Sequence, residues 1–499
     1  MALRAGRAVS GSTRLRGFAR ATLPRSGVAA VLAVPFLVMV AVLRGLTVTL
    51  PIFHGDDEFN YHLPVIHLFA GELPFPNLAG YPAAQTPLFH IVMAYAGKLV
   101  GYEIWRLRLV ETVISYVLAL LVYALLRHRL RLARPTALAL TLLFVLSPYV
   151  YGTSFRVITD NLATLFIVLA LERLERFRET GSLAVFAAGC AAVGAAMLTR
   201  QSAAFMIGVA ALYGLRAPLS WPRRGVAAAT LALACVPVAA LFLTWHGLIP
   251  PGGDPSSCGL CSGHGGAGLV SQTPELALAT IGLYGAALFA PELVSAVGGA
   301  RPGRLRKTLR GPLLGAGAGV VLLLAFPAHP GADAAGLIWG VARHFPAVLG
   351  SSLVFWALVP AAGAVLAWRV PSAPRPFIVG AFALCFLVGT LAIRYPWQKY
   401  VDPFALLTVM MTVRPGELAT PRALTGALVL ALAFIAYTAD TSSHADTRTF
   451  DARIEWGRAT VGSDDAIAVA LSHGRGRYEA AANASATFGQ LTTFQNASM

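Results

Sequence analysis

Apolar stretches of about 17–22 residues alternate along this chain with short arginine-rich segments, and that alternation narrows the possible folds to one class. A helix rising about 1.5 Å per residue needs about 20 residues to cross a hydrocarbon layer of about 30 Å. Lipid offers no partner for backbone N–H and C=O groups, so a segment crossing it must satisfy its own, as a helix does. Composition agrees: 57% of the residues are hydrophobic, 12% are charged, and the mean hydropathy is +0.67. Soluble domains carry roughly 25% charge. The expected fold class is an all-α polytopic membrane protein.

The net charge of +16 does not imply a nucleic acid partner, because the arginines gather between apolar runs in the positive-inside pattern. Residues 1–26 hold Arg4, Arg7, Arg14, Arg16, Arg20 and Arg25 without one acid. They read as a basic cytoplasmic N-terminus before a retained first span; a targeting leader is the alternative. Pro87–Gly101 decides the remaining topology. If it crossed, each later basic loop would change sides. If it lies on the outer surface as an amphipathic juxtamembrane helix, the loops 127–134, 173–178, 216–224, 301–310, 369–375 and 414–422 all become cytoplasmic. About thirteen spans follow, near 27–50, 106–126, 136–152, 158–172, 183–198, 202–215, 226–246, 273–297, 312–326, 349–368, 377–393, 400–413 and 423–438. The transmembrane domain is then 27–438, with a first outer loop at 51–105 and an extracytoplasmic tail or small domain at 439–499. Arginine far outnumbers lysine and the chain is rich in Ala, Gly and Leu, which suits a high-GC bacterium and its plasma membrane.

On this topology the residues that break the apolar pattern face outward: Asp56, Asp57, Glu58, Arg156, Asp160, Arg200, Gln201, His246, Arg394 and Lys399. The run Asp56-Asp57-Glu58 stands out in a chain with 23 acids, since a carboxylate beside a membrane is costly unless it meets water, a cation or a reacting group. A carboxylate there suits glycosyl transfer, in which an acceptor hydroxyl loses its proton as it attacks an anomeric carbon. It can act as general base, or hold a divalent cation, Mg2+ or Mn2+, at Asp56 and Asp57. No Gly-x4-Gly-Lys-Ser/Thr cradle is present, so cytoplasmic ATP is not the expected energy source. A flippase or other transporter would call for inverted repeats and mid-membrane charges; no repeat is visible and the charges collect at one face.

An acidic pair in the first outer loop beside a juxtamembrane helix resembles the GT-C class of polyprenyl-phosphate-dependent membrane glycosyltransferases. Asp57-Glu58-Phe59-Asn60-Tyr61-His62-Leu63-Pro64 is similar to the Asp-Glu…His-x-Pro element of the terminal dolichyl-phosphate-glucose α-1,2-glucosyltransferases of N-glycan precursor assembly, with one extra residue before the histidine. Ser147-Pro148-Tyr149, Ile158-Thr159-Asp160, Thr199-Arg200-Gln201-Ser202 and Trp245-His246-Gly247 resemble further elements of that family, scattered over roughly the first 300 residues. Its His-rich C-terminal element is absent, and Arg394–Tyr400 occupies a comparable place. The resemblance implies a GT-C-like helical bundle and a hexosyltransferase using a polyprenyl-phosphate sugar donor and a lipid- or envelope-linked glycan acceptor. The catalytic carboxylate would be Asp57 or Asp56, supported by Glu58. Arg200, Gln201, Arg156, Asp160, His62, Lys399 and Trp245 would contact substrate. A mannosyl-, arabinosyl- or aminoarabinosyl-transferase of the same architecture is the alternative.

Quieter readings stand beside these. Arg156 and Asp160, four apart, can pair across one helical turn. Arg200, Gln201, Arg394 and Lys399 can serve as interfacial anchors, although an outward guanidinium also suits a lipid phosphate. His54, His62, His67 and His90 fit no zinc spacing. Cys258 and Cys261 suit a local disulfide on an oxidising face. Cys190, Cys235 and Cys385 read as packing residues.

The charge pattern yields a topology test. Reporter fusions at Arg131 and after Ser443 are expected to report cytoplasm and exterior respectively; a periplasm-active signal at Arg131 would overturn the arrangement.

Overall fold

The computed structural model describes residues 25–43, 45, 57–253, 272–298, 302–329, 334–393, 395–418 and 421–443. Asp56, His54, Arg394, Cys258, Cys261 and the tail beyond 443 lie outside the described residues. The regular elements among the described residues are helices, apart from one two-residue hairpin pairing β1 (Ala347–Val348) with β2 (Ser351–Ser352).

In chain order the helices are α1 (Arg25–Val42), α2 (Leu63–Glu72), α3 (Leu88–Val100), α4 (Ile104–Ala124), α5 (Arg134–Leu146), α6 (Pro148–Thr153), α7 (Asp160–Thr180), α8 (Leu183–Thr199) and α9 (Phe205–Arg216). They continue with α10 (Trp221–Trp245), α11 (Gln272–Gly298), α12 (Pro302–Ala325), α13 (Leu337–Ala342), α14 (Leu353–Arg369), α15 (Pro376–Thr390), α16 (Asp402–Met411) and α17 (Pro421–Ser443).

Four of the described helices are long and apolar enough to cross a membrane: Ile104–Arg129, Trp221–Trp245, Gln272–Ser295 and Leu353–Ser372. The expected count of thirteen spans is not reproduced, and local chemistry explains several differences. Pro148 has no N–H and disfavours helix at the residue before it, so the expected span 136–152 breaks at an extended Ser147 (ψ 129°) into α5 and α6. The segment 400–413 keeps only the 10 residues of α16, about 15 Å of helix. The expected 158–172 grows into the 21 residues of α7, running through a charged last third until Gly181 stops it in the left-handed region (φ 64°). The helix expected over Pro87–Gly101 forms as α3, whose 13 residues span about 20 Å, too short to cross.

Apolar side chains face outward as well as inward. Leu233, Val236 and Leu243 of α10 are exposed, as suits a helix turned towards lipid acyl chains. The largest buried cluster draws on α4, α5, α7–α9, α11 and α14–α17. A separate one seats α2 and α3 against Val157, Leu162 and Trp245, which holds the first loop on the end of the bundle.

Glycine lets α14 approach two neighbours closely. A Cβ added at Gly315 of α12 would lie 2.0 Å from the Gly363 carbonyl of α14, and one at Gly363 would lie 2.0 Å from the Gly315 carbonyl. Gly282 of α11 meets the Leu358 carbonyl equally closely. Backbone approach of this kind is the usual adhesive between helices in lipid, where the hydrophobic effect no longer drives them together. Gly363→Leu is therefore expected to lower the thermal midpoint of the detergent-purified protein, overpacking costing about 1–3 kcal/mol. Gly317→Leu, one helix face away with nothing within 4 Å, should leave it unchanged.

Candidate active site

The acid run enters a five-residue π turn, Glu58–His62, which sends neighbouring side chains to different places. Glu58 is fully buried. It takes two hydrogen bonds from Arg108 of α4, Nε to Oε1 at 3.0 Å and Nη2 to Oε2 at 2.7 Å, and a third from the Val157 N–H at 2.9 Å. Its carboxylate is committed to the scaffold. Asp57 stays half-buried and reaches the other way, accepting a 2.6 Å hydrogen bond from Lys399 Nζ. Expected to act together, the two acids separate, because Arg108 offers a buried fork to one of them and not to both.

Lys399 sits on a tight turn, Gln398–Tyr400, pinned from several sides. The Gln398 N–H donates to Ala335 O at 2.9 Å, and its Oε1 accepts from the Ile338 N–H at 2.9 Å. Buried Asp402 receives Ser147 Oγ, Tyr284 OH and Gln398 Nε2. The Lys399 ammonium lies 4.8 Å from the Trp397 ring centroid and 5.2 Å from that of Tyr400, both at cation–π range. Burial works against its charge, but Tyr400, Asp57 and Asp160 outweigh it and raise its pKa. Lys399 is held as a cation.

Arg200 ends α8 in an extended conformation and pairs with Asp160, the first residue of α7. Its guanidinium stacks 4.5 Å over the Tyr400 ring. Asp160 thus pairs with Arg200; Arg156, its expected neighbour in sequence, is buried in the turn before it. A narrow cleft of ≈ 20 Å³ is lined by Asp160, Arg200, Ser202, Lys399, Tyr400 and Tyr149 among others. Three of the residues singled out in sequence, Asp160, Arg200 and Lys399, meet there, with Asp57 attached through Lys399.

Other expected contacts go elsewhere. Gln201 Nε2 donates to Ala84 O at 2.6 Å and to Leu248 O at 3.2 Å, and Trp245 Nε1 donates to Leu78 O at 2.7 Å. Both tie loops to the bundle. His62 is buried with its Nδ1 3.0 Å from His90 Nε2, against the Phe89 ring. Burial lowers its pKa to about 4, against the pull of Asp57 and Asp160, so the pair is neutral near pH 7. Burial, then His62, likewise lowers that of His90.

The described donors do not suit a divalent cation. Asp57 Oδ2 already holds an ammonium, Glu58 and Asp160 each hold a guanidinium, and no three His, Cys, Asp or Glu side chains converge among the described residues. Sequence reasoning passed over Arg108, Asp402 and Tyr400. Arg108 and Asp402 carried a usable signal, since each is an ionisable residue inside an apolar segment and therefore demands a partner. Glu111 carries the same signal. It is buried in α4, and neither of its carboxylate oxygens has a hydrogen bond among the described residues.

Residues 84–245 match the family model described as dolichyl-phosphate-mannose-protein mannosyltransferase. That part of the chain is glycosyltransferase-like. It is shorter than half the chain, and it holds Asp160, Arg200, Gln201 and Trp245 but neither Asp57 nor Lys399. The matching model is of mannosyltransferases rather than the glucosyltransferases whose motifs the sequence resembles. Two crystal structures of ArnT from Cupriavidus metallidurans are similar at a TM-score of 0.41. The apo form is 12% identical, covering 89% of this chain and 74% of that one. The form bound to undecaprenyl phosphate is 14% identical, covering 90% and 75%. No curated protein sequence matches.

The histidine pair yields a pH prediction. A group whose pKa falls on folding, here from 6.5 to about 4, binds more protons unfolded than folded through that window. Stability is therefore lost as pH falls from about 6.5 towards about 4. Thermal midpoints measured between pH 7 and pH 4.5 should drop more steeply for wild type than for His62→Gln; parallel curves would remove the pair as the cause.

Proposed function

We propose that the protein is an integral membrane glycosyltransferase that moves a sugar from a polyprenyl-phosphate donor to a lipid- or envelope-linked glycan acceptor at the outer face of a bacterial plasma membrane. One observation carries this reading: Asp57, Asp160, Arg200, Lys399 and Tyr400, drawn from segments hundreds of residues apart, form one ionic cluster beside a cleft at the ends of apolar helices. The motif resemblance and the match of residues 84–245 to a family that uses a dolichyl-phosphate sugar support the donor class.

The chemistry follows from the charges. Arg200 and Lys399 are the cations a phosphate would seek, and in its absence each holds a carboxylate. Two cations against two carboxylates leave the cluster neutral, so an arriving phosphate must share or displace them. When it draws the ammonium of Lys399, Asp57 loses its counter-charge and becomes the stronger base. Asp57 then takes the proton of the acceptor hydroxyl as the hydroxyl oxygen bonds to the anomeric carbon. The bond from that carbon to the phosphate oxygen breaks, and its electron pair stays on the phosphate, held by Arg200 and Lys399. Donor binding thus switches on the base. Gln201 and Trp245 hold the neighbouring loops to the bundle, and Glu58 fixes the turn that carries Asp57.

The sugar has two readings, each with its own observation: the motifs favour glucose, and the family match favours mannose. Transfer assays with polyprenyl-phosphate-glucose and polyprenyl-phosphate-mannose separate them.

Asp57→Asn is expected to lower turnover 10²–10⁴-fold with donor binding kept, as general-base loss typically does. Arg200→Lys keeps the charge but not the fork. Loss of one charged hydrogen bond costs about 1.5–3 kcal/mol, so donor KM should rise roughly ten- to a hundredfold. Glu58→Gln should instead reduce the yield of folded protein, a broken buried pair costing about 3–5 kcal/mol. Near-normal turnover by Asp57→Asn would remove the centre of the proposal.

A further inference from the structure

A second polar cavity lies at the opposite end of the bundle. Helix α7 starts at Asp160 in the cleft and runs 21 residues, about 30 Å, to Thr180, with Arg178 in its last turn. Helix α9 also runs away from the cleft end, from Phe205 to Arg216, and α15 leads back to it from Pro376. Where these three ends meet, a cavity of ≈ 310 Å³ opens, lined by Arg178, Tyr213, Arg216, Arg375, Phe377 and Ile378, with prolines at its rim. At about 30 Å³ per water, it has room for roughly ten waters, or for a phosphate group and the carbons beside it.

Two other arginines each have two acids: Arg129 has Glu172 and Glu179, and Arg369 has Glu292 and Glu417. At the cavity one carboxylate, Glu175, serves Arg178 at 3.2 Å and Arg375 at 3.6 Å while also accepting the Tyr213 hydroxyl at 2.7 Å. Arg375 Nε is buried and makes no hydrogen bond among the described residues. Arg216 has no acid among the described residues, and its guanidinium lies 4.6 Å from the Phe377 ring centroid. Three guanidiniums against one carboxylate leave two positive charges facing the cavity.

We propose that this cavity binds a phosphate group, with Arg216 and Arg178 as its open donors and Arg375 behind them. Its apolar wall of Phe377, Ile378 and prolines suits a phosphate attached to carbon. The basic segments around it, 173–178, 216–224 and 369–375, are those the positive-inside pattern assigns to the cytoplasm, where anionic phospholipid headgroups meet basic pockets between helices. The site is separate from the Asp57–Lys399 cluster and stands whether or not that cluster transfers sugar.

Native mass spectrometry of the full-length protein in detergent tests this. Dioleoylphosphatidylglycerol, dioleoylphosphatidylcholine and inorganic phosphate are titrated against wild type, Arg216→Gln, the Arg178→Gln/Arg216→Gln double variant and Arg223→Gln, whose side chain bonds the Gly181 carbonyl outside the cavity. The expected result is preferential binding of phosphatidylglycerol over phosphatidylcholine. The preference should weaken about tenfold in Arg216→Gln, weaken further in the double variant and persist in Arg223→Gln. Binding of inorganic phosphate with the same variant pattern, and no preference between the lipids, would assign the site to a soluble phosphate compound. Unchanged anion binding in the double variant, an equal loss in Arg223→Gln, or no anion preference in folded wild type would overturn the proposal. Thermal midpoints of each variant identify any that has lost its fold, and Arg216→Gln, a change at an exposed side chain, then decides the outcome.

Discussion

Glu58 and Arg108 form the contact on which the arrangement of the cleft depends. A carboxylate and a guanidinium, both removed from water, are tolerable only because each satisfies the other through two hydrogen bonds, with the Val157 N–H completing the set. The pair joins three segments: the turn carrying the acids, the first long helix, and the stretch leading into α7. With Glu58 drawn inward and Asp57 preceding it on the same turn, Asp57 is left to face Lys399. Scaffold and site are set by the same few bonds.

Similar logic holds the opposite wall. Asp402 is buried at the start of α16, where Ser147, Tyr284 and Gln398 converge on it, and Gln398 also braces α13. The turn bearing Lys399 and Tyr400 is therefore fixed by bonds to four elements. Tyr400 then lies between the two cations, with Arg200 stacked over its ring and Lys399 at the edge of cation–π range. A cluster so closely matched in charge and so little exposed has little freedom to rearrange without a ligand of its own charge. That stiffness suits a site in which one incoming phosphate redistributes the existing ion pairs.

The two ends of the bundle use arginine differently. At the cleft, Arg200 and Lys399 are each matched by a carboxylate. At the far cavity, two guanidiniums share Glu175 and a third, that of Arg216, has no acid among the described residues. A matched pair stores a cation until a competitor arrives, whereas an unmatched group presents standing positive charge. Helix α7 connects the two, with Asp160 at one end and Glu175 and Arg178 near the other.

Much of this was legible from the sequence. Apolar run length dictated a helical membrane protein, and proline and glycine marked where runs would break, though reading Pro148 as a mid-span residue overextended one span. Asp57, Asp160, Arg200 and Lys399 were legible because ionisable residues are rare in such a chain and must have reasons to be there. Their pairing was not. Position along the chain favoured Arg156 for Asp160 and grouped Glu58 with Asp57, because neighbours are all that a linear pattern offers. Tertiary structure reversed both, since a buried charge takes whichever partner the packing brings within about 3 Å, and here those partners lie 40 to 342 residues away. The sequence by itself determined which residues had to find partners in a low-dielectric bundle. Only the fold decided which partners they found, because that choice depends on distances between helices that no local propensity encodes.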